Sequence, residues 1–342
     1  MRAIVCERLG DARSPLGTGC LALKEIPVPN LPEGHVRVSV VAASLNFPDA
    51  LQIKGEYQDK PKIPFIPGSE VSGVVTEVGA GVKSLRVGDK VCAVRQTGAF
   101  AEQAVVPAPA AFKVPEGLAL EDAAAVPIVY GTADVSLRHR AQLKPGQTVL
   151  VLGAAGGVGV AALQLAKLAG AKVVAVAGGA AKADFLRGSG ADAVVDSEAA
   201  AAAKTPLHKA IKQAAPKGVD VVFDPVGGPQ LFEALKCVAW GAQYLVIGFA
   251  SGDIPKVPAN LLLVKNTTMH GVFWGSYMMH QPRVLADSMR QVLEWFGQGK
   301  LRVEVFARFP LERVAEAFQV ILDRRVRGKV LLTMGPAPHS RL

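Results

Sequence analysis

The sequence predicts an α/β protein of two domains, one of them a parallel-sheet domain set into a chain that is mostly β on either side. Three observations predict it. A chain of 342 residues exceeds what one core comfortably holds. Short apolar runs alternate with helical stretches through its middle. Its first hundred residues carry strand-like alternation punctuated by glycine.

In chain order, "HVRVSVVAA" sets Val36, Val38 and Val40 against Arg37 and Ser39, which is a strand with one buried face. "EVSGVVTEVGAGV" and "GDKVCAV" continue the pattern with turns at Gly73, Gly79, Gly81 and Gly88, so a small barrel or a strongly twisted sheet is expected. From about residue 128 the rhythm changes. "TVLVL" (148–152), "KVVAVA" (172–177), "DAVVD" (192–196), "VDVVFD" (219–224) and "QYLVIG" (243–248) read as strands each built on a largely continuous apolar run, separated by helical segments. Continuous apolar strands belong to a parallel sheet covered on both faces. From about residue 267 strand-like "TMHGVFWG" precedes two amphipathic helices, around "PRVLADSMRQVLEWFGQG" and "LERVAEAFQVILDRR", and a closing strand "GKVLLTM". The chain of the first domain is thus expected to resume there.

Residues 149–170, "VLVLGAAGGVGVAALQLAKLAG", carry no charge from Val149 to Ala166 and are about long enough to span a bilayer. A spanning helix must keep its backbone bonds intact, and Gly153, Gly156, Gly157 and Gly159 make that a poor fit. The stretch also divides into two periods: a strand, then Val158, Ala161, Ala162, Leu165 and Ala169 at helical spacing. Strand, glycine turn, helix is the setting of a dinucleotide fingerprint, in which the pyrophosphate lies on the helix N-terminus. Ala155, Gly156, Gly157, Val158 and Gly159 are the expected cradle. The loop departs from the usual pattern in having Ala154 at the first glycine, with Gly153 one place earlier. After the next strand an NAD site would carry an acid for the ribose 2′-hydroxyl. Here Gly178-Gly179 leads to Lys182 with no acid before Asp184, which favours the 2′-phosphate of NADPH. The competing account of Lys182 is a lysine on an exposed helix face.

Composition limits the alternatives. The net charge of +9 gathers toward "LDRRVRGKVLLTMGPAPHSRL"; without any nucleic-acid motif, a solvated basic surface that collects anionic ligands explains it better than RNA or DNA binding. Charges at positions 2, 7 and 8 argue against a secretory leader. Cys6, Cys20, Cys92 and Cys237 are widely spaced, so neither a disulfide framework nor a zinc cluster is expected, and a cytoplasmic setting is. Cys92 and Cys237 read as small core residues. His35, His139, His208, His270, His280 and His339 form no metal or triad pattern.

"NFPDALQIKGEY", "PFIPGSEVSGVVTEVGAGVKSLRVGDKV", "GAFAEQAVVP", "VPIVYGTA", "GAAGGVGVAALQLAK", "FDPVGG" and "GKVLL" occur in order over nearly the whole chain. Together they resemble the zinc-independent, zeta-crystallin-like quinone oxidoreductase branch of the medium-chain dehydrogenase/reductase superfamily. The resemblance implies a GroES-like β-rich catalytic domain, residues 1–127 with 267–342, split by a Rossmann doubly wound parallel-sheet domain, residues 128–266. The active site would lie in the cleft between them. Zinc relatives carry a ligating Cys where this chain has Asn46, and Gly-His-Glu where it has Gly68-Ser69-Glu70. Both ligands and the four-cysteine structural lobe are therefore missing by comparison, and no metal is expected. By resemblance Asn46, Asp49 and Tyr57 line the cleft, Tyr130 and Thr132 lie at the domain junction, and Phe249 in "IGFASG" borders the nicotinamide. Asn46 has two accounts, an amide offered to a substrate carbonyl or a turn residue before Pro48. Asp49 is expected to cap or to accept hydrogen bonds, not to act as a base. Tyr57 and Tyr130 either meet an aromatic acceptor or belong to the core.

These features imply NADPH-dependent hydride transfer to a quinone. The alternatives are an enoyl or 2-alkenal reductase acting on α,β-unsaturated carbonyls, and an NADPH- or RNA-binding protein without significant turnover. A homodimer through edge strands of the Rossmann sheet near "TMHGVFWG" is implied by the resemblance, and no membrane partner is expected.

Overall fold

A computed structural model describes residues 1–335. The chain divides into two compact units, Met1–Ile128 with the segment from Met289 onward, and Val129–Ser288. His339 and Arg341 lie outside the described residues.

The first unit is built on nine strands: β1 (Arg2–Cys6), β2 (Leu21–Glu25), β3 (His35–Ser44), β4 (Glu70–Val78), β5 (Lys90–Val94), β6 (Gln103–Pro107), β7 (Ala111–Lys113) and, far along the chain, β14 (Val305–Pro310) and β15 (Lys329–Thr333). β1 and β2 pair as an antiparallel ribbon. The others form one sheet in the order β14-β15-β3-β4-β5-β7, with β6 paired to β3. Long β3 holds it together: its first half pairs with β6 and its end with β15, opposite β4 throughout. The alternation read from the sequence is visible there, with Val36, Val38 and Val40 buried and Arg37 and Ser39 partly exposed. The buried valines join Val71, Val75, Phe100, Phe318 and Leu332 in one core. Phe100 and Phe318 meet edge to face, with centroids 6.1 Å apart.

The second unit contains β8 (Thr148–Val151), β9 (Lys172–Ala177), β10 (Ala193–Asp196), β11 (Val219–Asp224), β12 (Val238–Val246) and β13 (Thr268–Gly271). They make one all-parallel sheet in the order β10-β9-β8-β11-β12-β13, the doubly wound order with its reversal between β8 and β11. Burial is continuous along these strands: Val149, Leu150 and Val151 of β8 and Val173 through Val176 of β9 are all inside. That is why they read as unbroken apolar runs. The apolar stretch 149–166 ends one strand and supplies the helix Gly157–Leu168, so its two periods are two elements. Among the described residues no helix is long and apolar enough to cross a membrane.

Two details differ from the sequence reading. The strand in "TMHGVFWG" pairs with β12, from Gln243↔Thr268 to Val246↔Gly271, so it completes the parallel sheet and the second unit runs to Ser288 rather than to 266. The Ala-rich stretch "SEAAAAAKTPLHKAIKQAA" (197–215), one of the helical segments expected between the strands, forms two helices, Ser197–Ala202 and Leu207–Ala214. Pro206 disfavours helical geometry at Thr205, and Lys204 takes a left-handed conformation that closes the first helix.

Candidate functional site

Chemistry-bearing residues gather in two places, one in each unit. In the second unit they lie at the C-terminal edge of the parallel strands, where open α/β sheets bind ligands. The chain leaves β8 through Gly153, whose φ of +56° a residue with a side chain rarely adopts. It then enters the helix Gly157–Leu168 at Gly156. A Cβ on Gly159 would lie 2.6 Å from the Gly153 carbonyl oxygen and 2.7 Å from Ala154, so this glycine permits the helix to pack on the loop. Gly156 is different. A Cβ there would meet only the Gly153 oxygen, at 3.5 Å, so packing within the chain leaves the side of this residue open. Gly156 also offers no side-chain acceptor to the first helical turn. An anion is the partner that such a terminus accommodates. Ala155, Gly156, Gly157, Val158 and Gly159 therefore fit a pyrophosphate as the fingerprint requires.

The next strand, β9, ends in Gly178-Gly179, and the helix Ala180–Gly188 begins there with half-buried Lys182 in its first turn. Asp196, at the end of β10, ties this turn down. Its Oδ1 accepts the N–H of Gly179 at 2.9 Å, of Glu198 at 3.0 Å and of Ala199 at 3.2 Å. Burial raises the Asp196 pKa, but the three N–H donors outweigh it and hold the carboxyl below its ordinary value. A Cβ on Gly178 would come within 2.5 Å of Oε1 of Glu198, so the exposed acid of the helix Ser197–Ala202 lies against this glycine.

Beyond the reversal, Asp224 ends β11 and holds two loops. Its Oδ1 accepts from Val226 N and Gly227 N, both at 2.8 Å, and its Oδ2 from the Tyr244 hydroxyl at 2.8 Å. Its main-chain oxygen accepts from Ile247 N at 2.9 Å. Phe249 packs on the turn so formed, since a Cβ on Gly227 would lie 2.8 Å from its ring. Burial raises the pKa of Asp224 against these donors, and burial together with the Asp224 charge raises that of Tyr244. Tyr130 and Thr132 are buried on the helix Pro127–Asp134, and Gly131 between them lies against Trp274, 2.8 Å from a would-be Cβ. The Thr132 carbonyl accepts the Ser136 hydroxyl at 2.6 Å.

In the first unit Asn46 caps the helix Phe47–Lys54, with Pro48 inside its first turn, and donates its N–H to Oδ2 of Asp49 at 2.7 Å. Oδ1 of Asp49 accepts the Ser69 hydroxyl at 3.0 Å. Asp49 is fully buried, and desolvation pushes its pKa up to about 7 against the opposing Asn46 N–H, Ser69 and Lys329. The amide of Asn46 is engaged at both ends: Nδ2 donates to Oε1 of Glu70 at 2.9 Å, and Oδ1 accepts from Nζ of Lys329 at 2.7 Å. Lys329 also reaches Glu70 at 3.0 Å and the Leu45 carbonyl at 2.8 Å, and Oε2 of Glu70 accepts Ile128 N at 2.9 Å. Half-buried Tyr57 has its pKa raised by burial, then by the charges of Asp59 and Asp49, so its hydroxyl stays protonated.

Sequence reasoning singled out Asn46, Asp49 and Tyr57 but not Ser69, Glu70 and Lys329, which complete the network. Glu70 stood inside a quoted motif, and Lys329 inside "GKVLL", yet the pair are 259 residues apart and only the β15–β3–β4 pairing brings them together. Asp196, Glu198 and Asp224 were likewise not chosen; Asp224 is the second residue of "FDPVGG", the signal that could have found it.

The histidines have other partners. His35 contacts the Glu33 carbonyl at 2.9 Å, His208 the Glu233 carboxylate at 2.8 Å and His270 the Gln243 amide at 2.7 Å, while His139 packs edge to face on Tyr277. The four cysteines are free and buried, and burial raises the thiols of Cys92, to about 12, and of Cys237, to about 11. Among the described residues no three His, Cys, Asp or Glu side chains are grouped to hold a metal ion.

Residues 32–116 match the family described as alcohol dehydrogenase GroES-like domain, and residues 157–296 that described as zinc-binding dehydrogenase. The chain is 42% identical over 335 residues to a quinone oxidoreductase-like protein 2 homolog of Nematostella vectensis, covering 97% of this chain and 88% of that protein. It is 38% identical to quinone oxidoreductase-like protein 2 of Rattus norvegicus, over 97% and 92% of the two chains. Its structure superposes on Escherichia coli quinone oxidoreductase, solved with NADPH, with a TM-score of 0.87 and 26% identity over 97% of this chain and all 100% of that one.

Proposed function

Because the chain belongs to the quinone oxidoreductase branch of the medium-chain dehydrogenase/reductase superfamily, we propose that it uses NADPH to reduce a quinone without the help of zinc. The observation that carries this is the open approach to Gly156 at an uncapped helix N-terminus, on the edge of a sheet with dinucleotide-binding strand order. The same cofactor accompanies the superposed E. coli enzyme.

When bound, NADPH supplies a hydride. The chain's residues bind, orient and polarise around it. First-turn N–H groups of the helix Gly157–Leu168 take the pyrophosphate, and Lys182 faces the 2′-phosphate as its counter-charge. Asp224 fixes the two loops that carry Phe249 toward the nicotinamide. In the first unit the Asn46 amide is committed to Glu70 and Lys329, which leaves the Tyr57 hydroxyl as the donor for an acceptor carbonyl oxygen. Asn46 and Asp49 act as positioning residues that hold the entrance of the helix leading to Tyr57. Asn46 and Ser69 stand where zinc relatives carry ligands, so the developing negative charge is to be carried by a conjugated acceptor and by Tyr57 rather than by a Lewis acid. The unpaired edge of β13 is the surface proposed for a homodimer.

Relative kcat/KM on benzoquinones, 2-alkenals and enoyl thioesters tests the substrate class. Benzoquinones should lead; a preference for enoyl thioesters would assign the same chemistry to an enoyl reductase. Lys182→Ala should weaken NADPH binding by about ten- to a hundredfold and leave NADH nearly unchanged. Equal losses for both cofactors would remove Lys182 from the 2′ site.

A further inference from the structure

Glu198 stands where a phosphate-binding site has least use for it. In a Rossmann sheet the adenosine ribose lies beyond the C-terminal end of the second strand, here β9, and groups at that end select between a 2′-hydroxyl and a 2′-phosphate. The turn at that end is Gly178-Gly179, which in the sequence presents no acid. The structure supplies one from the first turn of the helix Ser197–Ala202, which follows β10 directly. Asp196 binds the N–H of Gly179 and of Glu198 with one oxygen, which ties the start of the helix after β10 to the turn after β9. The Glu198 carboxylate is thereby laid over the turn: a Cβ on Gly178 would lie 2.5 Å from its Oε1, and one on Gly179 would lie 3.3 Å from its Oε2. Its side chain is exposed.

We propose that Glu198 is a specificity-determining residue of the cofactor site, opposing the 2′-phosphate and accepting the 2′-hydroxyl, so that the enzyme takes NADH far more readily than Lys182 alone would allow. The inference rests on the NADPH assignment above. A carboxylate and a phosphate dianion a few ångströms apart at an exposed site repel each other enough to change affinity by roughly three- to tenfold, and salt screens the effect. Lys182 and Glu198 thus act with opposite sign on the same group. One attracts the phosphate and the other weakens it, and the ratio of the two affinities records their balance.

The test is direct binding of NADPH and NADH to the full chain, followed by nicotinamide fluorescence, for wild type, Glu198→Gln and Glu198→Ala. Both variants should bind NADPH about three- to tenfold more tightly at low salt, and the gain should shrink as salt is raised. NADH should bind no better to Glu198→Gln and more weakly to Glu198→Ala, which has lost the acceptor. An NADPH-to-NADH affinity ratio unchanged in both variants would overturn the inference while leaving the cofactor assignment intact. A wild-type chain that bound neither nucleotide would overturn both. Glu198 lies on the surface of a short helix, and retention of the wild-type unfolding midpoint verifies that the variants are folded.

Discussion

At the scale of the residue, the buried network of the first unit has consequences for stability. Lys329 and Glu70 are withdrawn from water, with side-chain exposures of 6% and 0%. Removing one partner strands the other's charge, so Lys329→Ala should cost about 3–5 kcal/mol, read from urea unfolding. The double variant Lys329→Met with Glu70→Gln should recover part of that loss. Asp49 makes a different prediction. Folding raises its pKa from 3.8 to about 7, so the folded chain keeps a proton that the unfolded chain releases between those values. The stabilisation from that proton is complete below 3.8, declines by about 1.4 kcal/mol per pH unit, and is gone above about 7. Asp49→Asn cannot ionise; from pH 5 to 7 its stability should rise by about 2 kcal/mol relative to wild type. A constant difference across that range would mean that Asp49 is ionised throughout. The sequence made Asn46 and Asp49 legible because they sit in one short motif. Lys329 was not, because its partners are distant in the chain and nothing local distinguishes a buried lysine from a solvated one.

At the scale of the element, the glycine turn after β8 separates two uses of glycine that the sequence alone presents as one pattern. Gly159 serves helix packing, whereas Gly156 leaves its side open, as the proposed approach of the cofactor requires. Gly159→Ala should therefore destabilise the chain by about 1–3 kcal/mol, because its methyl group meets backbone. Gly156→Ala should cost less than about 1 kcal/mol yet weaken NADPH binding by ~tenfold or more. Thermal unfolding and nucleotide titration of the two variants check this, and similar losses in both quantities for both variants would erase the distinction. The strand, turn and helix were readable because their periods differ, 2 against 3.6. The break inside the Ala-rich segment was harder to read, since alanine favours helix throughout and Pro206 alone marks the interruption.

At the scale of the whole molecule, the division into a β-rich unit and a parallel-sheet unit followed from two kinds of strand pattern. Alternation marks a strand with one wet face, and unbroken apolar runs mark strands covered on both sides. The last strand of the parallel sheet fell outside the expected bounds 128–266 for the same reason. β13 is an edge strand, only partly buried, so "TMHG" lacks the apolar run that marks its neighbours. The sequence likewise showed which cofactor to expect and not which acceptor, because the cradle is local whereas an acceptor is recognised by residues scattered along the chain. The most direct test mixes the chain carrying one equivalent of NADPH with excess 1,4-benzoquinone in a stopped-flow instrument and follows the reduced-nicotinamide absorbance. A quinone reductase predicts loss of that absorbance in step with hydroquinone formation, one for one. Bound NADPH that stays reduced in the presence of benzoquinone would contradict the proposed activity.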